Sequence, residues 1–150
     1  MKAFVAVIGF LVFAMPVAHA DCGTAEKVLF SCLSAKGKRI EVCNFGQTIQ
    51  YSFGKPKAKP EINVSVPISK VAGVSCYACG RYISNSVLVP NKDTIYIVSW
   101  SSDKLDTDAP SESGVEVVVN GESKATIKCC GEPVVGNFEG IVFKEPVVEN

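Results

Sequence analysis

An all-β fold, an antiparallel sandwich or small barrel of about eight strands stapled by disulfides, is what this sequence predicts. Three observations predict it. No i, i+3, i+4, i+7 apolar pattern persists for three helical turns. Short β-rich runs, several of them alternating, are separated by turn residues roughly every 8 to 12 positions. Seven cysteines in 150 residues point to an oxidising compartment and a disulfide framework.

Residues 1–20 read as a secretory signal peptide: Lys2, an apolar core from Ala3 to Met15, and an Ala18-His19-Ala20 cleavage site. Cys22 follows Asp21 rather than the small neutral residue that lipid attachment wants, so the expected product is soluble and periplasmic or secreted. Residues 21–150 then form a single β domain, with 131–150 as a tail. No later stretch approaches 18 apolar residues, so membrane insertion is not expected. Loss of Lys2 leaves one basic residue fewer than the 15 acidic ones, and nothing in that balance favours nucleic acid. The single histidine, His19, leaves with the leader. That removes Ser-His-Asp and Cys-His catalysis and histidine-ligated metals from consideration. No catalytic residue, cofactor or metal is expected.

Lys27 to Gly54 reads as a β-meander. A two-residue turn at Gly37-Lys38 would place Cys32 opposite Cys43, Phe30 opposite Phe45, Leu33 opposite Val42 and Ala35 opposite Ile40. The third run, Thr48 to Phe53, puts Ile49, Tyr51 and Phe53 on one face. Lys55-Pro-Lys-Ala-Lys-Pro is a proline-punctuated basic loop, and Glu61 to Val66 alternates as a strand. Val87–Val89 is a short strand, and Pro90–Asp93 a turn by composition. Thr94 to Trp100, apolar on both faces, is the natural central strand. Ser101 to Ser113 is a long acidic loop with Asp103, Asp106, Asp108 and Glu112. Val115–Val119 and Ala125–Cys129 form a hairpin around Asn120-Gly121-Glu122, with Val117 facing Ala125 and Val115 facing Ile127. Ile141–Phe143 is either an edge strand or a packed tail.

The register above predicts a Cys32–Cys43 disulfide. Cys22 is expected to close onto Cys129 or Cys130, and one of the seven cysteines is left over. Cys76-Tyr77-Ala78-Cys79 has the spacing of a redox site, but Arg81-Tyr82-Ile83 is strand-like. A reactive thiol at a helix N-terminus is therefore not expected. A structural disulfide, or pairing with Cys129 and Cys130, is favoured over redox or zinc chemistry.

The runs V-L-F-S-C at 28–32, K-x-I-x-V-C at 38–43, Y-S-F-G at 51–54, I-Y-I-V at 95–98 and G-V-x-V-x-x-N-G at 114–121 resemble a family of small secreted proteins of Gram-negative bacteria. That resemblance implies compartment and fold, and carries no activity. Cys79-Gly80-Arg81-Tyr82 resembles the loop that periplasmic lysozyme inhibitors present to the enzyme's cleft, with cysteine where those proteins have serine. The likeness implies that Gly80, Arg81 and Tyr82, with Lys92 in the next turn, bind a lysozyme-like cell-wall hydrolase. The expected function is a non-enzymatic periplasmic binding protein, an inhibitor or immunity protein. The alternative is a structural or accessory envelope protein.

Overall fold

The computed structural model describes residues 22–78, 80–130 and 134–146; the expected leader and Cys79 lie outside them. The described residues form ten strands: β1 (Lys27–Leu33), β2 (Arg39–Asn44), β3 (Thr48–Gly54), β4 (Ile62–Pro67), β5 (Ala72–Cys76), β6 (Tyr82–Asn91), β7 (Thr94–Asp103), β8 (Glu112–Val119), β9 (Glu122–Lys128) and β10 (Val135–Gly136). They form two antiparallel five-stranded sheets, ordered β10-β1-β2-β3-β4 and β5-β6-β7-β8-β9. Among the described residues the only helical turn is a 3-10 turn, Ile68–Lys70, between the sheets. The fold is the expected β-sandwich. None of the described helices is long and apolar enough to cross a membrane.

Alternation places one face of each strand inside. The first sheet contributes Phe30, Ile40, Val42, Ile49, Tyr51 and Val64; the second contributes Val87, Val89, Tyr96, Val98 and Val115. Tyr51 and Tyr96 stack across the interface with ring centroids 4.4 Å apart and planes 20° from parallel. Such a pair adds about 0.5–1.5 kcal/mol beyond area burial. Burial, and then the neighbouring Tyr96, push the Tyr51 phenol above its ordinary range. The native state therefore holds that proton longer than the unfolded chain does, and stability falls as pH rises above about 10. Tyr51→Phe is expected to flatten this alkaline loss, as measured by denaturant unfolding of both proteins between neutral pH and pH values above that point.

The β1–β2 hairpin departs from the expected register. Ser34 N–H donates to Lys38 O at 2.8 Å, Gly37 N–H donates to Ser34 O at 2.8 Å, and Gly37 has φ of 68°. The loop is therefore Ala35-Lys36-Gly37, three residues with glycine in the left-handed position, rather than a two-residue turn. Phe30 faces Val42 and Cys32 faces Ile40, and the register shifts between Val28 and Phe30. The offset from expectation is three residues, an odd number, so Cys32 points into the core while Cys43 lies on the opposite face, opposite Val28 and Gln50. The expected Cys32–Cys43 bond is thereby ruled out. Cys22 bonds to Cys43, not to Cys129 or Cys130, and Cys32 bonds to Cys129.

Elsewhere the differences are smaller. Thr94–Trp100 makes up the first seven residues of β7, which is the central strand of its sheet. Val117 faces Ala125 and Val115 faces Ile127 as expected, with Glu116 opposite Thr126 between them. Asn120 and Gly121 make a tight two-residue turn, with φ of 51° and 79°, and a register shift after Val117 absorbs the extra residue. Val87–Val89 is the interior of a ten-residue strand that includes Pro90, placed where β5 no longer pairs with β6. Ile141–Phe143 is a packed tail: Phe143 lies against Gly73, and Lys144 bridges to Ala72 beside β5. β10 pairs with β1 through Phe30–Gly136 and Ser31–Val135 and closes the first sheet.

Candidate functional site

One end of the second sheet gathers the chemistry. There the start of β6, the end of β7 and the loops beside them meet. Tyr82 is opposite Asp103 in the β6–β7 ladder. Arg81 Nε donates to Asp103 Oδ2 at 2.6 Å, and Nη2 lies 2.6 Å from the same oxygen. Asp103 Oδ1 accepts the Leu105 N–H at 2.9 Å. The Arg81 hydrogen bond is the main cause holding the Asp103 carboxyl below its usual range. Its charge, and the brace it makes, therefore persist above the ordinary carboxylate pKa and fail only as pH falls below it. Lys104 adds two more ties, its N–H donating to Arg81 O and its Nζ to Tyr77 O, each at 3.0 Å.

This brace carries exposed apolar side chains. Tyr77 is 55% exposed, Tyr82 52% and Leu105 80%. Tyr82 is thus a surface side chain rather than a core aromatic. Gly80 has φ of 67° with open space where a Cβ would stand, so its role is the backbone angle and not a close approach.

Lys92 does not join this group. It occupies the turn at the far end of the β6–β7 hairpin with φ of 55°. The ten residues of β6 separate it from Tyr82 by about 30 Å at strand rise. The structure brings Gly80, Arg81 and Tyr82 together and sets Lys92 apart.

Of the described cysteines, all but Cys130 are disulfide-bonded. Cys129 is committed to Cys32, Cys76 is also disulfide-bonded, and Cys130 is a free, exposed thiol. With Cys129 and Cys76 bonded, a four-thiolate set of Cys76, Cys79, Cys129 and Cys130 is not available to a metal.

Two concavities adjoin the rim. The outer face of the second sheet carries a trough of about 520 Å³. Its floor is a row paired across all five strands: Val74, Ser86, Ser99, Gly114 and Lys128. Ser84, Ser101 and Glu112 form the next row. Its serine hydroxyls present a polar floor, which offers a ligand little apolar contact. The second concavity, about 370 Å³, lies between Tyr77, Ile83, Asn85 and Trp100 of the second sheet and residues 136–139 beyond β10. The sequence singled out neither. Ser-x-Ser at 84–86 and 99–101 was a readable alternation, whereas the cleft depends on strands distant in sequence.

Compared with known proteins, the chain matches no family model, no curated protein and no solved structure.

Proposed function

We propose that the chain is a non-enzymatic, extracytoplasmic binding protein that docks on a protein partner through the rim formed by Tyr77, Arg81, Tyr82 and Leu105. The partner class is a lysozyme-like cell-wall hydrolase, which the protein inhibits or neutralises. The observation that carries this reading is the grouping of three exposed apolar side chains around a fixed Arg81–Asp103 brace. Tyrosine and arginine anchors on a preorganised scaffold are the usual carriers of interface energy. The partner class rests on the likeness of Gly80-Arg81-Tyr82 to the inhibitor loop. The disulfides suit an oxidising compartment.

The intramolecular pairing of Arg81 favours one alternative. Nε and Nη2 already engage Asp103, so a partner without an acidic cleft is also served by this rim. An accessory envelope protein is the corresponding second reading. A panel of lysozymes and other wall hydrolases, titrated with the protein at micromolar concentration, separates the two. Saturable inhibition is the expected result, and the absence of binding across the panel overturns the hydrolase assignment.

A further inference from the structure

The cleft between the sheets has a chemistry of its own. At about 370 Å³ it sits at the small end of ligand pockets, which run from about 300 to 1,000 Å³. Three aromatic residues, Tyr77, Trp100 and Phe138, line it together with the aliphatic Ile83. Gly136 keeps the Trp100 wall in place, since a Cβ there would lie 2.9 Å from Trp100 Cγ.

Its polar groups are unevenly matched. Asn85 lies on the inner face of β6, opposite Ser75 and Trp100, and is only 6% exposed. Its carbonyl oxygen Oδ1 has no hydrogen-bond partner among the described residues. A buried acceptor without a donor is costly to leave unmet, which makes it a natural point of attachment for a ligand N–H. Glu139, at the exposed mouth, is the one carboxylate of the lining, and no Lys, Arg or His lines the cleft. Lys27 and Lys104 lie outside the lining, their Nζ atoms donating to the backbone oxygens of Glu139 at 2.5 Å and of Tyr77 at 3.0 Å.

Aromatic walls, an orphan acceptor and a carboxylate, with no lining base, select a cation that donates hydrogen bonds. We propose that this cleft binds a primary ammonium group on a short apolar stem, whether a free alkylamine or a lysine side chain. The ammonium donates to Asn85 Oδ1 and is balanced by Glu139, while the stem and the charge lie against the rings. The cleft shares Tyr77 with the rim, but the proposal neither rests on the rim reading nor requires the hydrolase partner.

Trp100 is the only tryptophan in the chain, so its emission reports directly on the cleft. Four probes are titrated: n-butylamine, Nα-acetyl-lysine amide, n-butanol as the neutral isostere, and butyltrimethylammonium, which has the charge but no N–H. The expected result is a saturable change with the two primary ammonium probes. Whichever of these binds more tightly identifies the free amine or the lysine side chain as the better ligand. The quaternary probe is expected to bind several-fold more weakly and n-butanol at least tenfold more weakly. Glu139→Gln, at an exposed position that leaves folding intact, is expected to weaken n-butylamine about tenfold. n-Butanol binding as well as n-butylamine, an unaltered affinity in Glu139→Gln, or no saturable change with either primary ammonium probe would overturn the proposal.

Discussion

Replacing both Cys32 and Cys129 with alanine is expected to lower the unfolding free energy by about 4–5 kcal/mol, the largest effect of any disulfide deletion here. The bond joins β1, inside the first sheet, to the residue that follows β9 in the second, across 97 residues of sequence. In the chain-entropy account, stabilisation grows with the loop closed. The Cys22–Cys43 bond spans only 21 residues and is expected to contribute about 3 kcal/mol. Neighbouring contacts reinforce the longer bond: Ser34 bridges to Cys129, and Cys130 N–H donates to Leu33 O at 2.7 Å. Removing both cysteines also avoids a stray thiol beside Cys130. Urea unfolding of the two double variants, Cys32→Ala/Cys129→Ala and Cys22→Ala/Cys43→Ala, gives the comparison. A smaller loss for the first would show that the sheets are held together by packing rather than by this bond.

Phe30→Ala is expected to cost about 3–5 kcal/mol. Phe30 is completely buried and sits between Val42 of β2 and Gly136 of β10, so truncation opens a cavity at the seam where the first sheet closes. Phe45→Ala is the matched control. Phe45 lies in the β2–β3 turn, half-buried, with its N–H on Thr48 O. A register with Phe30 opposite Phe45 would make the two losses alike. The observed register makes the Phe30 loss clearly the greater, by thermal or urea melts.

How far the fold was legible follows from which signals are local. β7 was readable because Ile95, Tyr96, Ile97 and Val98 are apolar on both faces and β-rich, as befits a strand with neighbours on both sides. The β8–β9 pairing was readable because Asn120-Gly121 suits a tight turn. The β1–β2 turn misled because Gly37 supplies the left-handed third position of a longer loop. No composition rule separates that use of glycine from the first position of a type II′ turn. One hairpin error then carried over into the disulfide pairing, since face and register are coupled. β5, Ala-Gly-Val-Ser-Cys, has weak strand chemistry, and its neighbours are β6 and the returning tail. Tertiary pairing made it a strand.

The site divides along the same line. Gly80-Arg81-Tyr82 stood out as a contiguous motif and is found exposed at a sheet end. Tyr77 and Leu105 carry no local mark, and the polar, acidic run that follows Trp100 reads as loop although β7 extends through Asp103. Their grouping arises from the ladder that sets Tyr82 against Asp103. Lys92 is near Arg81 in sequence, but the ten-residue strand between them turns that into a long spatial separation.

The rim assignment is tested most directly by paired affinity and melting measurements on Tyr82→Ala and Lys92→Ala, against a wall hydrolase that the wild-type protein inhibits. Tyr82→Ala is expected to weaken binding by on the order of 2 kcal/mol or more, roughly thirtyfold, because an exposed tyrosine anchor is lost. Its melting temperature should barely move, since Tyr82 is half-exposed. Lys92→Ala, at the other end of the hairpin, should bind as the wild type does. Loss of affinity in Lys92→Ala with none in Tyr82→Ala would place the interface at the opposite end of the sandwich and contradict the assignment.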